Sequence, residues 1–191
     1  AIQDYQRGII IGQKTFGKGT VQKLDNLSSG QIKITESKFY RITGAGMQSK
    51  GIHPDITLPS TWDIEEIGES SYDTALPWDE IKPVRYKKFS MDASIISELN
   101  DEHLIRVNQN PNLQYILDVR ERYEIQKNKE VISLNLMNRK IEKEERQSWA
   151  LGIENKRRAS LNLEIFDSYK AMEDFNDAKE TENNEKEFEI D

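Results

Sequence analysis

Residues 12–22 read GQKTFGKGTVQ and place one lysine, Lys18, between two glycines. Glycine accepts positive φ angles and lets the backbone approach other groups closely, so this stretch is suited to aiming one side chain at a target. The apolar residues 8–12 before it and residues 20–24 after it indicate strands. The sequence therefore predicts a tight turn between two strands, with Lys18 as the residue whose function has to be explained.

A phosphate-binding loop is the first function that this stretch suggests, because Gly12 and Gly17-Lys18 match the start of the motif G-x-x-x-x-G-K-[ST]. The next residue is Gly19, however, so the hydroxyl that would hold magnesium is absent. Residues 21–24 also read as a strand and not as the helix whose N-terminus would receive the phosphates. Nucleotide binding is therefore disfavoured.

General base catalysis is the other chemistry open to Lys18. A lysine acts as a base near neutral pH only when desolvation or a positive neighbour lowers its pKa from about 10.4. Such a base can activate a serine hydroxyl in a Ser-Lys arrangement. The local residues alone favour a simpler interpretation, an exposed hairpin lysine without a catalytic role, because most lysines are exposed.

Further pieces of sequence accompany the lysine stretch. They are residues 38–41 (KFYR), 50–55 (KGIHPD), 75–79 (ALPWD) and 131–135 (VISLN). Together with residues 15–22, and in this order, they resemble the carboxy-terminal processing peptidases of the long, periplasmic type, also called tail-specific proteases. Motifs that extend from residue 15 to about residue 135 are more specific than one glycine-flanked lysine.

The resemblance implies a serine peptidase that uses a Ser-Lys dyad and no metal, nucleotide or other cofactor. Lys18 matches the family's general base, and Gln22 matches the glutamine associated with it. Residues an even number apart on a strand share a face, so both side chains can point into one site. Asp4 aligns with an acidic residue implicated in the long family members. We expect a structural or supporting role for Asp4, because a carboxylate too close to a lysine base would raise the lysine pKa.

The family's nucleophile has no counterpart in this sequence. In family members the reactive serine precedes the lysine on a helix, which would lie upstream of Ala1. None of the serines present has a matching context, and no G-x-S-x-G motif occurs. We therefore expect a C-terminal fragment of a serine-type endopeptidase, without its nucleophile, its main oxyanion-hole amides or its PDZ domain, and inactive alone.

Charge and composition divide the chain into segments. Residues 1–59 carry 8 Lys and Arg against 4 Asp and Glu, a net charge of +4, whereas residues 173–191 carry 2 against 9, a net charge of −7. The sequence predicts an α+β protein: residues 1–59 as the strand-rich C-terminal part of the peptidase core, residues 60–89 as a connecting segment, and residues 90–172 as a mainly helical C-terminal domain. The acidic residues 173–191 have too little apolar surface to offset ordering entropy, so they are predicted to be disordered.

Local signals predict several elements within these segments. Residues 9–11 (III) suit a strand buried on both faces, and residues 26–30 (NLSSG) supply turn residues. Asn110-Pro111 is a helix start signal, and a second helix is predicted over residues 139–151. Residues 132–136 alternate like a strand, but the pattern does not decide between strand and helix.

Other classes of site are disfavoured. There are no cysteines and no apolar run near 18 residues, so disulfides and a transmembrane helix are not expected. His53 and His103 are isolated and fit no metal-ligand spacing. Residues 90–172 carry a net charge of −1, which disfavours a nucleic-acid surface. The resemblance implies unfolded or tagged protein substrates with apolar C-termini, allows an adaptor protein, and implies a periplasmic or cell-envelope location.

Two functions of different class remain open from the sequence. In the first, Lys18 takes the proton from the serine of a peptidase and later returns it. In the second, the same loop and the helical surface form a non-catalytic module that holds peptides or an adaptor. A serine at the family position upstream would favour the first, and alanine or glycine there would favour the second.

Overall fold

The computed structural model describes residues 1–188, and its elements combine short strands with longer helices. Chain contacts divide it into two compact units, Ala1–Asn108 and a second that begins at Gln109. The strands are β1 (Ile11–Gly12), β2 (Thr20–Asn26), β3 (Gln31–Lys38) and β4 (Ile56–Thr57), and the helices are α1 (Ile64–Ile67), α2 (Ala93–Gln109), α3 (Pro111–Lys127), α4 (Leu136–Ser160) and α5 (Tyr169–Phe188). The predicted α+β class, strand-rich first and helical afterwards, is confirmed.

The first strand pair of the N-terminal unit is parallel and short. In it β1 pairs with β4, with Ile11 opposite Ile56. Ile56 is 3% exposed, whereas Ile11 is 58% exposed. The prediction of a strand buried on both faces is therefore wrong for Ile11, because a two-residue strand with one partner strand covers only part of the apolar run.

The second strand pair is an antiparallel hairpin of β2 and β3. Its turn is closed by a hydrogen bond from Leu27 N to Gly30 O of 3.0 Å, and Gly30 has a φ of +86°. Turn residues at 26–30 are thereby confirmed. The lysine loop, residues 13–19, differs from its prediction, because the strands that flank it, β1 and β2, pair with β4 and β3 and not with each other.

The segment that follows β4 returns to the N-terminal residues, where it contacts Tyr5. Residues 60–89 contain only α1 and a 3-10 turn, Glu69–Ser71. Phe89 N donates to Tyr5 O at 2.8 Å, and the rings of Tyr5 and Tyr86 pack edge to face with centroids 5.5 Å apart. On α2, the buried His103 places Nε2 3.1 Å from Thr57 O of β4.

The second unit is built from capped helices. The side chain of Asn110 accepts from the backbone N–H groups of Asn112 and Leu113, and Pro111 is the first residue of α3, as predicted. Asn135 caps α4 in the same way, and this helix extends beyond the predicted residues 139–151. Residues 132–135 lie outside any strand or helix and Leu136 begins α4, so the alternating pattern over residues 132–136 does not represent a strand.

Polar and aromatic contacts join α4 to the segment before α5. The amide of Asn155 exchanges two hydrogen bonds of 2.8 Å with the backbone of Phe166. The guanidinium of Arg158 lies 4.2 Å from the Phe166 ring centroid and 5.2 Å from that of Phe175. Met172, in the first turn of α5, is buried. This turn of α5 is therefore anchored by packing.

The acidic C-terminal segment differs from its predicted disorder as far as Phe188. The helix α5 extends through it, beginning at Tyr169. Its first turns contain an ion pair four residues apart, Lys170 Nζ to Asp174 Oδ1 at 2.6 Å, of the kind that stabilises a helix. Residues 189–191 of the predicted tail lie outside the described residues. The division at residues 59, 89 and 172 stays a prediction.

Loss of the α3 cap should be measurable. We expect Asn110→Ala to lower the free energy of unfolding by about 1 kcal/mol, because the backbone N–H groups of Asn112 and Leu113 lose their side-chain acceptor. Urea unfolding followed by the helical circular dichroism signal measures this loss. Asn100→Ala, on the exposed face of α2, is the control and should change stability by less than about 0.5 kcal/mol. Equal losses in both variants would show that the Asn110 cap does not stabilise α3.

Candidate active site

Lys18 stands on a loop whose two neighbouring glycines are buried while the lysine itself is exposed. Gly17 has a φ of +91°, a conformation that side-chain-bearing residues rarely adopt. A Cβ on Gly19 would lie 2.5 Å from Gln48 N, closer than atoms can approach. The glycines therefore serve two needs, a left-handed turn at Gly17 and close backbone approach at Gly19.

Backbone hydrogen bonds hold this loop against residues 47–52. Ser49 N donates to Gly17 O at 2.8 Å, and Thr15 N donates to Ile52 O at 3.0 Å. The hydroxyl of Thr15 accepts from Ile52 N at 2.9 Å. Gly51 has a φ of +64°, and a Cβ there would overlap with the Thr15 carbonyl oxygen. The base of the loop is thus fixed by directional contacts between two backbones.

Two polar side chains complete the support of the loop. Gln48 is 1% exposed, and its Oε1 accepts from Gly19 N at 2.8 Å. Its Nε2 donates to Glu69 Oε1 at 2.7 Å. The backbone of Glu69 in turn donates to Phe16 O at 2.8 Å. The residues on both sides of Lys18 are therefore connected through one amide–carboxylate pair.

An open cavity of about 370 Å³ lies beside the loop. Lys18, Thr20 and Gln22, spaced by two along the chain, all line it. The amide of Gln22 also lies 3.4 Å from Thr35 Oγ1 of β3, a long hydrogen bond. The remaining lining residues are Phe16, Thr35, Gln48, Glu69, Tyr72, Thr74, Ala75 and Leu76. No serine is among these lining residues in the part of the chain that the structure describes.

Asp4 lies elsewhere, in a buried polar network. It is 7% exposed and forms an ion pair with Arg41, whose Nη2 also donates to Gln3 Oε1 at 2.9 Å. Gln3 Nε2 donates to Asp55 Oδ1 at 2.9 Å, and Asp55 Oδ2 accepts from Ile10 N at 2.8 Å. Asp4 is not among the residues lining the Lys18 cavity. The structure therefore brings Lys18 and Gln22 together and connects Asp4 to the strand before the loop.

The pKa of Tyr40, which follows β3, is raised in a contact with the carboxylate of Asp79. Burial raises the pKa of Tyr40, and so does the hydrogen bond of 3.1 Å from its hydroxyl to Asp79 Oδ2. Lys38 Nζ is 3.1 Å from Asp79 Oδ1, and its charge opposes the shift. The phenol is thereby kept as a hydrogen-bond donor to Asp79.

The described residues were compared with the requirements of a metal site and of a membrane-spanning helix. His53 is exposed, and residues 1–188 contain no cluster of three histidine, cysteine or acidic side chains placed to hold a metal ion. Within the same residues, each helix is too short or too polar to cross a bilayer.

Gln48 and Glu69 are the site residues that sequence reasoning missed. Each is a common polar residue far along the chain from Lys18, and neither lies in a recognisable catalytic motif. The only local signal concerned Gln48, which lies two residues before the stretch 50–55. That stretch was singled out for its family resemblance and not for a contact with the loop.

Comparison with known families gives two adjoining matches. Residues 1–58 match the model of peptidase family S41, and residues 62–191 match the model of the C-terminal domain of tail specific protease. The chain belongs to the tail-specific protease family. The recognition made from the motifs is thereby confirmed. The boundary between the two matches lies just after β4.

Curated relatives agree with this assignment. The tail-specific protease of Haemophilus influenzae is 37% identical over 154 residues, covering 74% of this chain and 22% of that protein. A carboxy-terminal-processing protease of Bartonella bacilliformis is 41% identical over 59 residues, 30% of this chain and 14% of that protein. A protein of Staphylococcus epidermidis named "Probable CtpA-like serine protease" is 42% identical over 59 residues, with 30% and 12% coverage. The chain thus spans about a fifth or less of the length of these bacterial proteins.

The close approach at Gly51 should be intolerant of a side chain. We expect Gly51→Ala to lower the free energy of unfolding by about 1–3 kcal/mol more than Gly30→Ala, because the new Cβ would overlap with Thr15 O. Gly30 is a matched control, since its φ of +86° carries the same left-handed strain but nothing lies within 4 Å of its Cβ position. Urea unfolding curves of both variants measure the difference. Equal destabilisation would contradict the close contact.

Proposed function

We propose that this chain is the C-terminal portion of a serine-type endopeptidase in which Lys18 is the general base of a Ser-Lys dyad. The observation that carries the proposal is the placement of Lys18 on a rigidly supported loop, lining one cavity with Gln22. A lysine held in this way can receive a proton from a defined direction. The family membership supplies the expectation of a serine partner.

The proposed mechanism has two proton transfers in acylation and two in deacylation. The serine Oγ attacks the scissile carbonyl carbon while Lys18 Nζ accepts the hydroxyl proton, which gives a tetrahedral intermediate. Lys18 then donates that proton to the leaving amine, and water hydrolyses the acyl-enzyme by the same route. Following the family resemblance, we place the nucleophile outside this chain, with the main oxyanion-hole amides and a PDZ domain. No serine is among the described residues that line the cavity, which agrees with this placement of the nucleophile.

Gln22 has a supporting role in this proposal. Its amide carries two donors and one acceptor with two lone pairs, so it can orient the lysine ammonium or a substrate amide. The hydrogen bond to Thr35 Oγ1 is 3.4 Å long and leaves the Gln22 amide able to change partners when a substrate enters.

We assign a structural role to Asp4. Its carboxylate neutralises Arg41, and the same guanidinium contacts Gln3, which reaches Asp55. Through Asp55 this network holds Ile10 N, just before β1. Asp4 thereby stabilises the strand that leads into the lysine loop without lining the cavity.

The proposed substrates are unfolded or tagged proteins with apolar C-termini, and an adaptor protein is a further proposed partner. The proposed location is the periplasm or cell envelope. These proposals come from the family resemblance, which the match to the C-terminal domain of tail specific protease supports.

Replacement of Lys18 tests the function. In the full-length protein, we expect Lys18→Ala to lower kcat/KM for a substrate with an apolar C-terminal tail by about 10⁴-fold or more, because one member of a catalytic unit is removed. Lys33→Ala, which removes an exposed lysine of β3, is the control and should cleave at the unaltered rate. The measurement is product release by purified proteins whose folding is checked by circular dichroism.

The other outcomes of this assay decide against the dyad. Unaltered cleavage by Lys18→Ala would return Lys18 to the role of a surface lysine. Binding of the tailed substrate without cleavage by the unaltered full-length protein would establish the non-catalytic peptide- or adaptor-binding module instead. Cleavage by the 191-residue chain alone, free of other proteases, would contradict the placement of the nucleophile.

Replacement of Asp4 separates a structural role from a catalytic one. We expect Asp4→Ala to lower the free energy of unfolding by about 3 kcal/mol, because the charge of Arg41 is left without its carboxylate and keeps only the hydrogen bond to Gln3. The double variant Asp4→Ala/Arg41→Met should recover part of this loss, since it also removes the unpaired charge. Urea unfolding and kcat per folded molecule are measured together. Unaltered stability combined with a large fall in kcat would contradict the structural role.

A further inference from the structure

We propose that Gln48 and Glu69 form a positioning pair that sets the direction of Lys18, an inference that rests on the proposed function of Lys18 as the base. Neither residue is supplied by the peptidase motifs, and both line the Lys18 cavity. The pair is an interaction between a buried amide and a carboxylate, with Nε2 of Gln48 2.7 Å from Oε1 of Glu69.

The pair contacts the backbone on both sides of the lysine. Gln48 Oε1 accepts from Gly19 N at 2.8 Å, and Glu69 N donates to Phe16 O at 2.8 Å. Phe39 N also donates to Gly19 O at 2.7 Å, so both polar groups of Gly19 have partners. Of these groups, Gly19 N belongs to the peptide that directly follows the Lys18 Cα, and Gln48 fixes it. The peptide that directly precedes the Lys18 Cα is fixed by Ser49 N, which donates to Gly17 O at 2.8 Å. The Lys18 Cα–Cβ bond is thus oriented by hydrogen bonds, whose direction is more restrictive than that of apolar contacts.

Burial explains why this position requires a glutamine. Gln48 is 1% exposed and Gly19 is buried, so an apolar residue at position 48 would leave Gly19 N without an acceptor and away from water. A glutamate at position 48 could accept from Gly19 N. Its carboxylate would then lie next to the Glu69 carboxylate, with no donor between them. The Gln48 amide meets both needs at once, because its oxygen accepts from Gly19 N and its nitrogen donates to the Glu69 carboxylate.

The pair acts on the rate of the chemical step and not on substrate binding. A displacement of about 1 Å at a reacting group can reduce a rate by about 100-fold. Gln48 is 1% exposed and both ends of its amide have partners in the protein, so its side chain is not presented to substrate. A positioning role therefore predicts a fall in kcat with little change in KM.

The first test replaces the amide by a side chain of similar shape. In the full-length protein, Gln48→Met should lower kcat for an apolar-tailed substrate by about 100-fold, with KM changed by less than about threefold. Gln31→Met is the matched control, since its amide bonds Asn26 on the exposed hairpin turn and both kinetic constants should stay unaltered. The folded fraction is measured by circular dichroism, and kcat is expressed per folded molecule.

The second test exchanges the two side chains. Gln48→Glu alone should lower kcat, because carboxylates at positions 48 and 69 repel each other. The double variant Gln48→Glu/Glu69→Gln restores one acceptor for Gly19 N and one amide donor between the two positions. We expect it to recover at least about tenfold of the kcat lost in Gln48→Glu, which a loss of packing alone would not produce.

The outcomes separate this inference from the proposed function. If Lys18→Ala abolishes cleavage while Gln48→Met cleaves with unaltered kcat per folded molecule, the positioning pair is overturned and the dyad stands. A fall in kcat that the exchange variant does not recover also overturns the pair. If Lys18→Ala cleaves normally, the proposed function itself fails, whatever the Gln48 variants do.

Discussion

The approach of the lysine loop to residues 47–52 is the constraint on which the N-terminal unit depends. Ser49 N reaches Gly17 O at 2.8 Å, and a Cβ at Gly19 or Gly51 would collide with the facing backbone. Because the two backbones lie this close, no side chain fits between them at these glycines, and hydrogen bonds are the main interaction that joins them. Both backbones are consequently locked in register, and the position of Lys18 follows from that register.

Several of the buried residues of this unit are polar. Among its described residues, Asp4, Thr20, Gln48 and His103 are buried, whereas Ile56 is the buried hydrophobic residue. Buried polar groups stabilise a fold only when each has a partner, because an unpaired donor or acceptor keeps its full desolvation cost. Gln48 and Asp4 meet this condition through Glu69 and Arg41. The unit therefore gains geometric precision from interactions that tolerate little substitution.

Short sequence signals correctly predicted the elements that are determined by residues adjacent in the chain. The Asn110-Pro111 start of α3 and the turn closed at Gly30 depend on neighbouring residues, so the sequence pattern identifies them. Ile11 was misjudged because burial depends on which strands pair, and β1 pairs only with the two-residue β4. The helix α5 was missed because composition alone does not show that Met172 anchors its first turn. The motifs identified Lys18 and Gln22, but no local pattern reveals that Gln48 meets Gly19.

Two separate networks hold the two ends of the segment that carries Lys18. Asp4, Arg41, Gln3 and Asp55 fix Ile10 before β1, whereas the pair of Gln48 and Glu69 fixes the loop itself. The networks share no residue, so their contributions to stability should be close to additive. A reacting group has to be held within about 0.5 Å of its productive position, and such precision is achieved when the supporting shell is itself fixed. The strand network contacts the chain before β1, so the loop itself depends on the pair of Gln48 and Glu69 and on its backbone hydrogen bonds to residues 47–52. Directional contacts on both sides of Lys18 therefore fix the backbone from which this side chain extends.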